Sequence, residues 1–471
     1  MSEVEEQLAR IRGGQILTWR QQLALTVRLS LPSVIAQFSS IVMQYIDASM
    51  VGSLGAAASA SIGLVSTTAW LFSGLCASWA AGFYVQVAHR LGAKDSEGAR
   101  DVFRQSLVLV PLFGIFLLML GTCLSRYLPG WLGGAPEILP TSSSYFFIYA
   151  CSMPALALYL LAGGMMRCSG NIYTPTAFSL LMCVLDILFN ALLIFPTRQV
   201  AGIWIPGAGW GVTGAAVGTA LALYATAALL LYRAAFCTPD LCLRRVALPF
   251  LLSGACFRKA LRIGIPMMCE RVVMCGAQIL YTVIVAPLGT LAIAANSFAI
   301  IAESICYMPG YGVSDAAVTL VGHSLGARRK DLMWQFARIT VGLGIGVMTV
   351  MGIVMYMAAP LMIGCMTPDA RVVAMGVEVL RIEAFAEPLF AAAIVTYGVF
   401  VGAGSTVAPT LMNFCSIWLV RLPLAAFLAP WMGLCGAWVA MCSELCLRGT
   451  LFLLRLRSGK WLVLREADVK R

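Results

Sequence analysis

Long apolar runs, rather than an alternation of inward and outward positions, organise this chain. Residues 48–89, 105–125, 138–166, 199–232, 272–302, 339–368 and 388–420 contain no Asp, Glu, Lys or Arg. About 20 apolar residues cross a bilayer, so several of these runs hold more than one crossing. Placing turns at Gly, Pro and charge clusters predicts twelve helical spans, roughly 25–51, 60–87, 104–126, 143–166, 174–196, 210–234, 262–286, 292–320, 338–360, 379–401, 407–429 and 432–455. The longest polar interruption, Arg233 to Lys259, falls between spans six and seven. It divides the chain into a first lobe at 1–234, a cytoplasmic linker at 235–259 and a second lobe at 260–471.

The two lobes repeat one another. Pro32 and Pro266, Gly55 and Gly289, His89-x-Leu91-Gly92-Ala93 and His323-x-Leu325-Gly326-Ala327, Pro154 and Pro388, Gly170 and Gly404 all recur at a spacing of 234 residues. Gly211, Gly214 and Val217 match Gly433, Gly436 and Val439 at 222, which leaves twelve extra residues in the first lobe, expected in an external loop near 197–208. Six crossings per lobe is an even number, so the lobes enter the membrane the same way round. The expected fold is therefore an all-α polytopic membrane protein of twelve transmembrane helices in two parallel-duplicated six-helix lobes, with sites near the midplane around a central cavity. Pro32 and Pro266, near the inner ends of spans one and seven, are the expected bending points.

Composition agrees: 60% of residues are hydrophobic and 11% charged, where soluble domains carry about a quarter charged. The net charge of +11 orients the chain by its placement. Lys and Arg gather around residues 90–104, 233–262, 328–330 and 455–471, whereas the alternate loops and their margins hold only Arg126, Arg198, Arg371 and Arg381. The positive-inside rule makes the first set cytoplasmic, and both termini with it. No basic aromatic patch suggests nucleic acid. Sixteen cysteines lie mostly inside apolar runs, where a thiol packs as a small hydrophobe; Cys237, Cys242 and Cys256 share a loop region but fit no zinc spacing.

Ionisable residues inside spans are few, and each calls for a partner, a water-filled cavity or a bound ion. Asp47 follows about 17 uncharged residues in span one, roughly 25 Å from its inner end. Asp186 and Asn190, four apart in span five, present a carboxylate and an amide oxygen on one face. Such an oxygen-rich corner suits a proton or a hard monovalent cation, or else an interhelical hydrogen-bonded pair. The second lobe holds Glu270, Arg271, Glu303, Asp315, Glu383, Glu387, Arg421, Glu444 and Arg448. Glu444 and Arg448, four apart, predict an ion pair. Glu303 and Glu387 either line the cavity or are neutralised by Arg421 and Arg271. Tyr281 stands at the duplicate of Asp47, and Arg421 one residue beyond that of Asp186, so ion coupling is expected mainly in the first lobe.

Several segments resemble those of the multidrug and toxin extrusion (MATE) transporters, in its DinF-like and NorM-like bacterial branches. They are Asp47-Ala-Ser-Met-Val51-Gly52-x-Leu54-Gly55, His89-Arg-Leu-Gly-Ala93, Glu303-Ser304 with Met308-Pro309-Gly310-x-Gly312 and Leu320-Val321-Gly322, and Val401-Gly-Ala-Gly404 followed by Trp418-Leu-Val-Arg421-x-Pro423. The likeness runs over about residues 20 to 455. It implies a V-shaped exporter of organic cations, working by alternating access in exchange for Na+ or H+; a monomer with no cofactor beyond the coupling ion is expected. In the DinF-like branch a first-lobe cation site uses a span-one aspartate, an asparagine and an aspartate one turn apart in span five, and a span-six threonine. The matching positions here are Asp47, Asp186, Asn190 and Thr219, with the span-five pair in the opposite order. Glu270, Glu303, Glu387 and Arg421 are the expected second-lobe charges of the substrate cavity. A lipid-linked precursor flippase of the same superfamily is the alternative, and would need a strongly basic cavity. A membrane enzyme would need a catalytic cluster, but the two histidines, His89 and His323, sit in repeat-related turns.

Overall fold

Residues 7–8, 18–200, 203–245, 253–367 and 369–462 are described in a computed structural model of the chain. Most of the polar N-terminal stretch, the middle of the expected linker at 246–252 and the basic tail beyond 462 lie outside the described residues. In lipid every backbone N–H and C=O must find its partner within the chain, so apolar runs of this length fold as helices. The first half supplies α1 (Trp19–Gly52), α2 (Ala56–Gly92), α3 (Ser96–Ser125), α4 (Leu139–Cys151), α5 (Met153–Ser169), α6 (Tyr173–Ile194) and α7 (Gly211–Tyr232). The second supplies α8 (Gly254–Val285), α9 (Thr290–Gly326), α10 (Lys330–Gly364), α11 (Ala370–Ala384), α12 (Glu387–Gly402), α13 (Val407–Ser416) and α14 (Leu422–Arg457).

Spans four and ten are each two helices, α4 with α5 and α11 with α12, bent by 44° and 59°. Pro154 and Pro388 stand at the start of the second helix of each pair, where a missing N–H costs no hydrogen bond. Pro32 and Pro266 lie inside the unbroken helices α1 and α8. The run Val407–Arg457 is 51 residues long, about 77 Å if straight, which is more than two hydrocarbon thicknesses. It turns at Gly433, whose φ of 61° and ψ of −143° no helix contains. A methyl at Gly436 would meet the carbonyl of Leu428, eight residues back, a contact that only a chain reversal makes. Spans eleven and twelve are thus joined without a loop, and with the two bent pairs each taken as one span the crossings among the described residues number twelve.

The repeat is written in the backbone as well as in the residues. Gly55 and Gly289 have φ of 112° and 98°, Gly170 and Gly404 95° and 71°, and Gly211 and Gly433 57° and 61°. Lys94 and Arg328, again 234 apart, have φ of 63° and 57°. Side chains with a Cβ seldom enter this region, so its use at both copies of one turn shows that the turn itself was duplicated. After the first of these turns Asp95 caps α3, accepting from the Gly98 N–H at 2.7 Å.

The segment expected as an external loop near 197–208 is in fact a hairpin. Pro196–Val200 (β1) pairs antiparallel with Ile203–Ala208 (β2). Its pairing satisfies the backbone of residues that have no copy in the second half.

Contacts sort the chain into two compact units: Ser39–Leu91 with Asp95–Met268, and Met1–Phe38 with Gly92–Lys94 and Cys269–Arg471. Helices α1 and α8 each change unit along their length. The first unit's core is built around Phe72, Trp79, Phe83, Phe103 and Phe146, with the Trp79 indole donating to the Leu109 carbonyl at 3.1 Å. In the second unit the buried Trp438 indole donates to the Asn296 side-chain oxygen at 2.9 Å. Val350, Ile353, Met357 and Leu361 of α10 are exposed along one helical stripe, an apolar face of the kind a membrane helix turns to lipid.

Candidate functional site

Within the first unit, α1, α6 and α7 bring together the side chains expected to hold a cation. Asp186 and Asn190 lie one turn apart on α6 and are both fully buried. The Asn190 amide donates to Asp47 Oδ1 at 2.9 Å and to Asp186 Oδ2 at 3.2 Å, so one NH2 group bridges carboxyls from two helices. The Asp47 and Asp186 carboxyls also lie within hydrogen-bonding reach of each other, and the Thr219 hydroxyl reaches Asp186 from α7. All four expected residues therefore meet at one point.

The close approach of α7 depends on glycine. A methyl at Gly218 would strike the Asn190 side chain, and one at Gly214 would strike the Leu193 backbone. Small residues one turn apart let two membrane helices touch, and here they press the Thr219 side of α7 against the acid pair. Tyr145 on α4 was not anticipated; both carboxyls act on its phenol, which makes it the aromatic neighbour of the corner.

Two oxygens remain unsatisfied. Asp186 Oδ1 and Asn190 Oδ1 are buried and have no hydrogen-bond partner among the described residues. No basic side chain pairs with Asp47 or Asp186 among them either. Two carboxyls in contact cannot both carry a charge without a positive partner, and the orphaned oxygens are the ligands such a partner would take. With the acid first and the amide second on α6, it is the amide one turn further on that spans to Asp47.

The second half differs. Glu270 accepts from the Asn413 amide at 2.6 Å and from the Tyr397 phenol. Arg421 does not neutralise Glu303 or Glu387 by contact. It forms a two-pronged bond to Glu444 Oε2, at 2.9 Å from Nε and 2.6 Å from Nη2. The Glu444 and Arg448 pair predicted from their spacing is present at 3.2 Å, and Ser416 donates to the same carboxylate. Arg421 as the third member was missed, since nothing in the sequence links residues 23 apart on either side of the Gly433 turn. Glu303 and Glu387 are both buried, with no ion pair to an arginine among the described residues. No group of three or more His, Cys, Asp or Glu among the described residues is arranged to hold a metal ion, the three linker-region cysteines included.

The MatE family model matches the chain twice, at residues 32–192 and 266–427, so its two starts, Pro32 and Pro266, reproduce the internal spacing of 234. A probable multidrug resistance protein NorM of Thermotoga maritima is 26% identical over 92% of both chains. Another, of Chromobacterium violaceum, is 25% identical over 94% of this chain and 95% of its own. Among solved structures, a MOP superfamily transporter from Pyrococcus furiosus has a TM-score of 0.87 at 19% identity, over 97% of this chain and 98% of that one. A multidrug resistance MATE family transporter in an outward-facing conformation gives 0.86, at 19% identity over 96% and 98%. With the family model matching both halves and relatives aligned along almost the whole length, the chain belongs to the MatE family, and is an integral membrane transporter of the multidrug efflux class.

Proposed function

We propose that this transporter is a secondary antiporter, exporting organic cations across the inner membrane in exchange for Na+ or H+ by alternating access, as a monomer with both termini cytoplasmic. The observation that carries this reading is the first-half corner: Asp47 and Asp186 meet at Asn190, without a basic partner among the described residues. Asp47, Asp186, Asn190 and Thr219 form the coupling site. A cation or proton arriving from outside neutralises the carboxyl pair, and α1, α6 and α7 then repack around a corner that has lost its mutual repulsion. Pro32 and Pro266 act as the bending points of α1 and α8 in that repacking. Each positive charge moving inward gains about 2.3 kcal/mol per 100 mV of membrane potential, and a monovalent organic cation moving outward costs the same, so one-for-one exchange runs on the ion's concentration gradient and only exchange with net inward charge draws on the potential. Glu270, Glu303, Glu387 and Arg421 supply the charge of the second half.

The flippase reading is disfavoured by the placement of the arginines. Arg421 and Arg448 are bonded to Glu444, and Arg271 lies beside Glu270, so these guanidiniums face acids rather than a pyrophosphate.

Uptake of a fluorescent cationic dye into everted vesicles, with Na+ and proton gradients imposed separately, tests the proposal. One gradient drives uptake by the wild type, and Asp47→Asn reduces it to the level of empty vesicles while the protein keeps its yield and gel-filtration profile. Gradient-driven uptake retained in Asp47→Asn removes the corner from coupling.

A further inference from the structure

In the second unit a cavity of about 480 Å³ opens between α10, α11 and the part of α14 that follows the Gly433 turn. Two charged side chains line it, Glu378 and Arg381, three residues apart on α11 and both exposed. Their surroundings are apolar: Met357 and Leu361 of α10 and Phe385 at the end of α11 are exposed by 75%, 68% and 72%. Charges on such a surface are rare in membrane helices and call for a partner. The duplicated backbone does not require them, since the positions 234 residues earlier hold Ser144 and Phe147.

Arg381 is fixed in place with its donors free. Pro360 inside α10 has no N–H to offer the Tyr356 carbonyl four residues before it, and Arg381 Nε donates to that carbonyl at 3.4 Å instead. The guanidinium carbon lies 5.2 Å from the centre of the Tyr356 ring, which packs edge-on against Phe385 at 5.9 Å. Both terminal nitrogens of Arg381 are left without a hydrogen-bond partner among the described residues. The Glu378 carboxyl is reached by the Cys435 thiol, two residues past the Gly433 turn, and Trp431, two residues before the turn, is 81% exposed. Tryptophan gathers at the headgroup level of a bilayer, which puts Glu378 near that level and Arg381 about 4.5 Å deeper along α11.

We propose that this groove binds a phospholipid with a zwitterionic, primary-amine headgroup, its ammonium on Glu378 and its phosphate on Arg381. From the turn inward the groove presents an acid, a guanidinium and then the apolar Ile382 and Phe385. Such a lipid presents an ammonium, a phosphate and then acyl chains, in the same order. The free fork of Arg381 matches two phosphate oxygens, and the exposed Ser443 hydroxyl of α14 lines the same cavity as a further donor. A primary ammonium donates hydrogen bonds to a carboxylate, whereas a choline has no N–H to give and a purely anionic headgroup meets Glu378 with like charge. The site is separate from the Asp47 corner and does not depend on what the transporter exchanges.

Native mass spectrometry of the delipidated full-length protein, incubated with equal amounts of phosphatidylethanolamine, phosphatidylglycerol and phosphatidylcholine of matched acyl chains, tests this. The wild type retains phosphatidylethanolamine in preference to the other two. Arg381→Met lowers that retention roughly tenfold, the loss expected for a charge-assisted bond. Glu378→Gln keeps a phospholipid bound but loses the preference for the amine. Ala374→Trp fills the groove while leaving both charges, should act as Arg381→Met does, and serves in its place if that variant fails to fold. Equal retention of the three lipids by the wild type, a preference for phosphatidylglycerol, or unchanged phosphatidylethanolamine retention in Ala374→Trp overturns the proposal.

Discussion

The two halves solve one problem, charge inside a membrane, in opposite ways. In the second half Glu444 is clamped by Arg421, Arg448 and Ser416, so its charge is answered by the protein itself. In the first half Asp47 and Asp186 are answered, among the described residues, only by the Asn190 amide and the Thr219 hydroxyl, which are neutral. A clamped charge holds structure and has no need of an ion; an unclamped pair is unstable until something positive arrives. The same backbone, duplicated, thus carries a strut in one half and, on the function proposed above, a receptor in the other.

Substituting the acid's partner should separate the two. Arg421→Met leaves a buried carboxylate with one guanidinium fewer, and removing one member of such a pair costs about 3–5 kcal/mol. We expect a large fall in thermal stability, read by the midpoint of loss of the monodisperse gel-filtration peak. A midpoint within a degree or so of wild type would show that the clamp is not structural.

Asp186→Asn should do the reverse. It removes a buried carboxyl that lacks a counter-charge, so stability holds or rises, by up to about 1–3 kcal/mol, while gradient-driven dye transport is lost. A variant that is both unstable and active would collapse the contrast between strut and receptor.

Much of this was legible in the chain. The uncharged runs placed the crossings, and the spacing of 234 residues found the repeat, because duplication copies turn glycines and prolines along with everything else. Asp47, Asp186 and Asn190 were legible for a related reason: i and i+4 on α6 fix one face, and an acid in the membrane must have company; Thr219 was legible only through the resemblance to the family. What could not be read was pairing across the fold. Arg421 was set against Glu303 and Glu387, yet the turn at Gly433 folds α14 back so that Glu444 takes it instead. Glu383 reads in the sequence as one acid among several, although the residues 234 before it and before Glu303, Tyr149 and Ala69, are hydrogen-bonded to each other in the first half. The hairpin at 196–208 was hidden because its residues have no counterpart in the other half to compare with.

A third test acts on the receptor's geometry rather than its charge. Gly218→Val places a branched side chain where the Asn190 amide lies, and overpacking of this kind costs about 1–3 kcal/mol. If α7 must touch α6 for the corner to close, coupled uptake falls at least tenfold in membranes that still contain folded protein. Gly163→Val, where the nearest atoms stand 3.5 Å or more away, is the matched control and should transport normally.

The smallest effect expected is that of Thr219→Val, which keeps the shape of the side chain and deletes its hydroxyl. Thr219 reaches Asp186 but not the bridge to Asp47, so its loss takes one ligand from an ion and none from the acid pair. One hydrogen bond is worth about 0.5–1.5 kcal/mol, or a shift of two- to tenfold in the ion concentration giving half-maximal uptake, with the maximal rate unchanged. A metal cation, which needs several oxygens at once, should feel this loss; a proton held between Asp47 and Asp186 should not. Measured separately under Na+ and proton gradients, the Thr219→Val shift therefore distinguishes the coupling ions: a shift under a Na+ gradient marks Thr219 as a ligand of the metal cation, and Na+-driven uptake with no shift excludes it from that role.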